Sequence, residues 1–186
     1  MPLGSAEALA LAGMMGSGKS TVARRLGLLL RRPVVSTDDR VEALARKPVA
    51  RIFAEDGEPV FRALERQVVG QLGGPLVVDL GGGAFCDPGS AVRLLSLGTV
   101  VFLDVSPAEA GRRLGGGSPA SEAIEARPLA PRWAELRERR LPLYRRAHLA
   151  VETDGLSAEA VARRIHDLVA WRPRRAPAAD LPGGLR

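Results

Sequence analysis

Apolar residues along this chain fall into short blocks separated by longer stretches of helical periodicity. The blocks predict β-strands at 8–12, 34–36, 76–80, 99–104 and 150–152, and we expect the strand at 34–36 to be buried. Two blocks, 76–80 and 99–104, have almost no polar face, which is typical of parallel strands covered on both sides. The alternation predicts a three-layer α/β fold: a parallel sheet of about five strands with helices on both faces.

Helices are predicted wherever apolar residues recur three and four positions apart. Proline or capping side chains mark some of their starts, as at Pro88 and in the capping box Ser106-Pro107-Ala108-Glu109. A strongly charged helix is predicted from Pro131 to Arg140, and we expect Leu141-Pro142-Leu143-Tyr144 to interrupt it. The other helices are predicted at 21–30, 39–44, 48–54, 60–69, 90–95, 106–114 and 157–171.

The segments outside this alternation set the domain limits. Residues 115–130 begin with three consecutive glycines and are predicted to form a lid, because long loops in compact domains are usually functional or disordered. Residues 172–186 are rich in Pro, Ala, Arg and Gly, which predicts a disordered tail. We therefore expect a single domain over residues 1–171.

The first predicted strand and helix are joined by Gly13-Met14-Met15-Gly16-Ser17-Gly18-Lys19-Ser20-Thr21. This stretch matches the phosphate-binding pattern G-x-x-x-x-G-K-[ST] at every fixed position, in the strand-loop-helix context that the pattern requires. Glycines let backbone N–H groups curve around a phosphate, and the positive end of the helix dipole points at the same anion. Lys19 can reach the outer phosphates, and the Ser20 hydroxyl can bind magnesium. The motif predicts binding of a nucleoside triphosphate by Gly13, Gly16, Ser17, Gly18, Lys19, Ser20 and Thr21.

Composition indicates the type of core and the cellular location, and it is compatible with a nucleotide-binding α/β domain. The 186 residues are 46% hydrophobic and only 4% aromatic, so the core must consist mainly of Ala, Leu and Val. No apolar run approaches the roughly 20 residues that a membrane span needs, and the N-terminus does not resemble a secretory leader. The single cysteine, Cys86, cannot form an internal disulfide. These features favour a cytoplasmic protein, which we expect to be a monomer without membrane partners.

The net charge of +6 has two interpretations. A basic surface could bind nucleic acid, but the chain has neither a dense Lys/Arg block nor an aromatic-rich strand pair for base stacking. The basic residues are mostly arginines scattered along helices. An arginine-lined cleft for small anions explains them better, and we expect no nucleic-acid partner.

Several further residues follow predicted strands. Asp38 comes two residues after the strand at 34–36, where open α/β sheets bind ligands, although a helix cap would be the better interpretation of this residue alone. Gly81-Gly82-Gly83 follow the strand at 76–80, and glycines there would let the backbone approach a ligand closely. From their position in the sequence alone, Phe53 and Phe61 are expected in the core about twice as often as in the wall of a ligand site. These residues do not identify a substrate by themselves.

The ordered set of motifs resembles shikimate kinase from about Ala8 to Trp171. The resemblance rests on the phosphate loop, Thr37-Asp38, Ile52-Phe53-Ala54-Glu55-Asp56-Gly57-Glu58-Pro59-Val60-Phe61-Arg62, Gly81-Gly82-Gly83, Arg127-Pro128-Leu129 and Arg140-Leu141-Pro142-Leu143-Tyr144. Many unrelated proteins share the phosphate loop, but the ordered set is far more specific. The resemblance implies a P-loop kinase that transfers a phosphoryl group from ATP to the 3-hydroxyl of shikimate, in the pathway to aromatic amino acids.

The resemblance also implies roles for individual residues. Arg62 and Arg140 would grip the shikimate carboxylate, since guanidinium forks fit a planar anion. Asp38 would bind the ring hydroxyls and orient or deprotonate the attacking one. On the nucleotide side, Arg113 would lie against the adenine and Arg127 would neutralise charge on the transferring phosphoryl group. The remaining substrate contacts would come from the side chains of Phe53 and Phe61 and the backbone N–H groups of Gly81, Gly82 and Gly83.

One position departs from the family pattern. A second aspartate commonly lies two residues before Asp38, where it supports the magnesium ion, and this chain has Ser36 there. Asp79 ends the strand that enters the glycine triplet, where other P-loop proteins place a magnesium-binding carboxylate. We therefore predict that Mg²⁺ is held by Ser20 and, through water, by Asp79.

Two other functions stay open on the sequence alone. A kinase for another small hydroxylated acid, such as gluconate, could use the same aspartate and arginines. A nucleotide-binding protein without transfer activity is the second, although an acceptor pocket would then have no purpose. His148, His166, Cys86 and Trp133 match no motif, and we expect structural roles for them.

Overall fold

The computed structural model of the chain describes residues 7–114 and 133–170. The predicted lid at 115–130, Arg127 within it and the predicted tail at 172–186 lie outside these residues. The described chain forms a five-stranded parallel sheet in the order β2-β3-β1-β4-β5. Its strands are β1 (Ala8–Ala12), β2 (Val34–Ser36), β3 (Val77–Asp79), β4 (Gly98–Asp104) and β5 (Leu149–Glu152).

Helices connect the strands and cover both faces of the sheet, so the predicted α/β class and strand number are confirmed. The helices are α1 (Lys19–Leu30), α2 (Thr37–Ala45), α3 (Val49–Arg51), α4 (Gly57–Gly70), α5 (Pro88–Leu97), α6 (Pro107–Leu114), α7 (Trp133–Tyr144) and α8 (Ala158–Ala170). A π-helical turn (Ile52–Asp56) joins α3 to α4, and a short 3₁₀ turn (Ala84–Cys86) precedes α5.

The central strand β1 shows how the sequence builds two cores from one alternating pattern. Leu9 and Leu11 face α1 and α8, where they pack with residues such as Leu26 and Ile165. Ala8, Ala10 and Ala12 face the opposite layer, together with residues of α5 and α7. Successive side chains of a strand point to opposite faces, so a leucine–alanine alternation fills one layer with large side chains and leaves room for bulkier partners in the other.

Strand β2 differs from expectation because it lies at the edge of the sheet. It pairs only with β3 among the described strands, and Val34 is 39% exposed rather than buried. An apolar three-residue block does not reveal whether a strand has one neighbour or two, since that depends on strand order.

Helix α7 also differs, because it runs through Pro142 instead of ending before it. Proline removes one backbone hydrogen bond and would ordinarily disfavour a helix interior. Here the last turn is held from outside. The Tyr144 ring stacks on Phe102 with centroids 5.0 Å apart, and Leu141 packs against the same apolar cluster. These tertiary contacts outweigh the local cost of the proline.

The parallel arrangement brings the loops that follow β1, β2 and β3 to one edge of the sheet. Leu11 of β1 is level with Asp79 of β3, and Asp79 is level with Ser36 of β2. The phosphate loop, Asp38 and the glycine triplet all begin within a few residues of these positions. The candidate site therefore lies at the carboxyl edge of the sheet, where α/β folds bind their ligands.

Candidate active site

The phosphate loop is folded tightly before any ligand is considered. Gly13 has φ +149° and Gly16 has φ +83°, in the left-handed region that glycine tolerates. A Cβ on Gly13 would lie 2.6 Å from the Leu103 carbonyl oxygen, so this position also requires glycine for space. The Lys19 ammonium donates to the carbonyl oxygens of Gly13 (2.9 Å) and Met14 (3.1 Å), which places it across the loop.

Ser17 and Ser20 occupy different environments in this loop and the first turn of α1. Ser17 is buried, and its hydroxyl oxygen has no hydrogen-bond partner among the described residues. Ser20 and Thr21 are exposed at the N-terminus of α1, where the helix dipole favours anions. A buried, unpaired hydroxyl and an exposed helix terminus suit a loop that surrounds an oxygen-rich ligand.

Asp79 lies beside this helix terminus. The pKa of its carboxyl group is raised, because burial outweighs the lowering effects of the Lys19 ammonium and the Ser20 hydroxyl. Ser36, its neighbour across β2 and β3, instead caps α2 by accepting a hydrogen bond from the Asp39 N–H at 3.1 Å. The structure thus places Asp79, and not Ser36, next to the hydroxyl and ammonium of α1.

Asp38 contacts the first residue of the glycine triplet, Gly81, at the same edge of the sheet. A Cβ on Gly81 would collide with Asp38 Oδ1 and would lie 2.9 Å from Glu65 Oε1. The N–H group of Gly81 donates to Thr37 Oγ1 at 2.7 Å. This bond gives the Gly81 amide a partner within the protein, where the sequence had suggested the substrate, and it ties the start of α2 to the end of β3.

Arg62 is held against the triplet by two carboxylates of its own helix. Its guanidinium donates to Glu65 Oε2 at 2.7 Å and to Glu58 Oε1 at 3.0 Å. A Cβ on Gly83 would collide with Arg62 Nη1. The bare backbone of Gly83 therefore makes the space that the guanidinium fills, which explains a glycine at a position without positive φ.

Glu65 is a site residue that the sequence analysis missed. It is 1% exposed, and its Oε1 has no hydrogen-bond partner among the described residues. The pKa of its carboxyl group is raised, chiefly by burial and to a smaller extent by the nearby Asp38. The positive charges of Arg62 and Arg140 oppose this shift without cancelling it. The signal was present in α4, because a carboxylate between Phe61 and Val68 falls on the buried stripe of that helix.

Arg140 and Tyr144 reach the triplet from α7. Arg140 is only 9% exposed, and its Nη1 donates to the Gly82 carbonyl oxygen at 3.1 Å. The Tyr144 hydroxyl donates to the same oxygen at 2.5 Å, and burial raises its pKa well above the usual range, so it remains a donor. Arg140 thus approaches Gly82 and Arg62 approaches Gly83, from two different helices, and both arginines lower the pKa of Glu65.

Phe53 and Phe61 form an aromatic pair next to the Arg62 guanidinium. Their ring centroids are 4.6 Å apart, and the Arg62 guanidinium carbon lies 5.1 Å from the Phe61 centroid. Phe61 is buried and belongs to a small core with Val41 and Ile52, whereas Phe53 is half-buried at its margin. Phe61 has the packing of a core residue, and Phe53 has the exposed surface that a ligand wall needs.

Two side chains donate hydrogen bonds to backbone carbonyl oxygens of the phosphate loop. Arg113 of α6 donates to the Gly16 carbonyl oxygen at 3.2 Å and to the Thr153 carbonyl oxygen at 2.6 Å. Trp133 of α7 donates its indole N–H to the Met15 carbonyl oxygen at 3.1 Å. The sequence had suggested only packing for Trp133, because a lone tryptophan carries no motif.

The two histidines lie away from this cluster, whereas Cys86 lies beside it, next to Tyr144. His148 Nδ1 accepts a hydrogen bond from the Val100 N–H at 3.0 Å, joining β4 to the start of β5. His166 is half-buried on α8, and its Nδ1 atom lies 3.2 Å from Asp167 Oδ1. Cys86 packs against the core, and burial raises the pKa of its thiol. These contacts support local structure, and the absence of a catalytic role for these three residues stays a prediction.

Neither a membrane-spanning helix nor a self-contained metal cluster is found in the described part of the chain. No helix within 7–114 and 133–170 is long and apolar enough to cross a bilayer. The same residues contain no group of three or more His, Cys, Asp or Glu side chains that could hold a metal ion.

Comparison with known proteins agrees with this geometry. Residues 15–170 match the family model for shikimate kinase. The shikimate kinase of Limosilactobacillus fermentum is 42% identical over 167 residues, which cover 84% of this chain and 92% of that protein. The shikimate kinase of Mycobacterium ulcerans is 41% identical over 159 residues, covering 83% and 85% of the two chains.

Solved structures lead to the same family. Shikimate kinase from Acinetobacter baumannii, in complex with shikimate, superposes with a TM-score of 0.79 at 30% identity, covering 88% of this chain and 93% of that one. The enzyme from Bacteroides thetaiotaomicron gives a TM-score of 0.74 at 28% identity, covering 89% and 99%. This chain therefore belongs to the shikimate kinase family and is an ATP-dependent kinase with the P-loop kinase fold.

Proposed function

We propose that the chain transfers the γ-phosphoryl group of ATP to the 3-hydroxyl of shikimate, giving shikimate 3-phosphate and ADP in the chorismate pathway to aromatic amino acids. The observation that carries this proposal is the convergence of Arg62, Arg140 and Asp38 on one glycine triplet, beside a phosphate loop. A carboxylate and neighbouring hydroxyls on one small ring fit two guanidinium groups and an acceptor carboxylate. We further propose a cytoplasmic, monomeric enzyme that acts on small molecules.

The two arginines are suited to the acceptor carboxylate for electrostatic reasons. Both guanidinium groups are largely removed from water, and in such surroundings charge-assisted bonds to a carboxylate are strong. Glu65 balances part of their charge and fixes the direction of Arg62. An acceptor without a carboxylate would leave two buried positive charges facing one buried glutamate.

Asp38 is proposed to orient the attacking hydroxyl. The carboxylate lies against Gly81 at the mouth of the triplet, where it can accept a hydrogen bond from a ring hydroxyl and remove its proton as the phosphoryl group is transferred. Gly82 and Gly83 would line the ring with backbone, and Phe53 would cover one side of it. The contribution of Gly81 is proposed to be the space that it leaves for Asp38.

The nucleotide would bind along the phosphate loop. The loop N–H groups and the N-terminus of α1 would surround the phosphates, and Lys19 would exchange its two loop carbonyls for phosphate oxygens. Arg113 would lie beside the adenine while it keeps its bond to Gly16. Arg127 is proposed, on the family resemblance, to neutralise charge on the transferring group.

The residues next to α1 also fit a magnesium ion. Ser20 and Asp79 provide a hydroxyl and a carboxylate that are close enough for the hydroxyl to lower the pKa of Asp79, and Mg²⁺ prefers such hard oxygen ligands. Mg²⁺ usually takes only one or two protein oxygens and completes its shell with phosphates and water, so a larger protein cluster is not needed. We propose that Ser20 and Asp79 hold it, and that it offsets the negative charge of the phosphates.

A coupled assay of ADP release tests this function. The purified chain is given ATP and magnesium with shikimate, with gluconate or with no acceptor. Release that depends on shikimate is the expected result. Release with gluconate alone would keep the kinase activity and reject the substrate, and acceptor-independent release would reject the transfer itself.

A further inference from the structure

The first residue of α7 makes a contact to the phosphate loop that the proposed transfer does not use. The indole N–H of Trp133 donates to the Met15 carbonyl oxygen at 3.1 Å. The next carbonyl along the loop, that of Gly16, accepts a hydrogen bond from Arg113. Two consecutive peptide groups of the loop are thus held by side chains from two different helices.

The same face of α7 carries the acceptor-side residues. Trp133, Arg137, Arg140 and Tyr144 are spaced i, i+4, i+7 and i+11, which aligns them along one side of a helix. Arg137 pairs with Asp104 at the end of β4, 2.8 Å apart, and Tyr144 reaches both Met14 Sδ and the Gly82 carbonyl oxygen. One helix face therefore contacts the phosphate loop and the glycine triplet together.

We infer that Trp133 is a positioning residue for nucleotide binding, which acts by fixing the phosphate loop through the Met15 carbonyl. The inference rests on the proposed function, since it assumes that this loop binds ATP. In a trans peptide the carbonyl and the following N–H point in opposite directions. A donor that holds the Met15 carbonyl therefore sets the direction of the Gly16 N–H and reduces the ordering that a phosphate would otherwise have to impose.

The contact is more specific than packing. The Trp133 ring is half-buried against the α5 and α7 side of the core, and any large apolar side chain could supply that area. The indole adds one donor and no acceptor, and this donor is directed at a loop carbonyl. A hydrogen bond in this position acts on the loop, whereas apolar contact alone acts on the stability of the helix.

Trp133→Phe separates these two roles, because phenylalanine keeps the ring and removes the donor. We expect the dissociation constant of ADP, measured by calorimetry with magnesium, to increase about three- to tenfold, as for the loss of one hydrogen bond. The dissociation constant of shikimate, measured without nucleotide, should change by less than about twofold on the same grounds. Leu136→Ala is the matched control, since Leu136 packs against the same core from α7.

A second measurement keeps Trp133 in place. The chain has two tryptophans, so Trp171→Phe leaves Trp133 as the only indole emitter. Addition of ADP should shift its emission with a midpoint equal to the calorimetric dissociation constant, because phosphate binding acts on the loop to which the indole is bonded.

Unchanged ADP affinity in Trp133→Phe, or an equal loss in Leu136→Ala, would overturn the inference while the proposed function stood. An emission that does not respond to bound ADP would also overturn it. A wild-type protein that binds no ADP would reject the proposed function and this inference together.

Discussion

At the scale of single residues, the three glycines after β3 differ in how strictly they exclude a side chain. A Cβ on Gly81 would collide with Asp38, and one on Gly83 would collide with Arg62, whereas one on Gly82 would lie 3.5 Å from Arg140 Nη1, an ordinary contact. None of the three has a positive φ, so alanine is conformationally allowed at each. The difference between them is the space taken by the side chains of Asp38 and Arg62, for which we propose catalytic and substrate-binding roles.

Gly81→Ala and Gly83→Ala should therefore lower kcat/KM for shikimate, by about 10- to 100-fold, since displacements near 1 Å in a site have such effects. Arg62 cannot simply swing away from a new methyl group, because Glu58 and Glu65 hold it. Gly82→Ala is the control and should change kcat/KM by less than about threefold. Equal losses at all three positions would show that general backbone strain, and not the neighbouring side chains, decides the outcome.

Asp79 is the residue on which the proposed magnesium site depends. Asp79→Asn should weaken the magnesium-dependent part of ADP binding, by about 10- to 100-fold, as for other groups that orient a bound metal. Calorimetric titrations of ADP with magnesium and with EDTA measure this directly, and the EDTA value should not change.

The variant Ser36→Asp provides a rescue test for the same site. Ser36 is level with Asp79 on the adjacent strand, so a carboxylate there is expected to restore part of the lost affinity in the Asp79→Asn background. An Asp79→Asn protein that keeps the full effect of magnesium would contradict the assignment of Asp79.

At the scale of elements, α5 shows how local capping supports the site from a distance. Asp87 accepts a hydrogen bond from the Ser90 N–H at 2.9 Å, and Pro88 begins the helix. Burial opposes ionisation of Asp87, but its bonds to Ser90 and the nearby Arg66 outweigh this, so the pKa of the carboxyl group is lowered. The helix packs against α4 and the turn that follows the glycine triplet, so its start must be stable.

Asp87→Ala should destabilise the fold by about 0.5–2 kcal/mol at pH 7, the usual range for a lost N-cap. Because the folded pKa is below the unfolded value, this stability is present above about pH 4 and is lost as the pH falls through the folded pKa. Urea unfolding at pH 7 and pH 3 should therefore show a smaller difference from wild type at pH 3. Asp87→Asn keeps an acceptor without the charge, and it should lose less stability than alanine. A penalty for alanine that is the same at both pH values would contradict the role of the ionised carboxylate.

Features that depend on neighbouring residues could be predicted from the sequence. Features that depend on contacts between distant parts of the chain could not. The phosphate loop, α1 and the buried strands follow from local spacing, since glycine, lysine and apolar periodicity are all read within ten residues. The course of α7 through Pro142 and the edge position of β2 depend on contacts with Phe102, Gly82 and strand order. The same limit hid the bond of Trp133 to the Met15 carbonyl, which forms only when α7 meets the phosphate loop. The burial of Glu65 was predictable from its place on the apolar stripe of α4, but its pairing with Arg62 at the glycine triplet was not.

At the scale of the whole molecule, the two proposed binding regions share one edge of a parallel sheet. The phosphate loop follows the central strand, and Asp38 and the glycine triplet follow the two strands on one side of it. Helix α7 contacts both regions from the opposite layer through Trp133, Arg140 and Tyr144. This placement explains why an ordered set of short motifs, spread over most of the chain, specifies one small site.

A kinase of this kind is defined by the bond that it forms, so its product is the decisive measurement. Phosphorus NMR is recorded on a reaction of the wild-type chain with ATP, magnesium and shikimate. We expect ADP and a single phosphate ester, whose phosphorus couples to the proton at ring carbon 3. Inorganic phosphate as the only new signal besides ADP, or an ester at another ring oxygen, would contradict it.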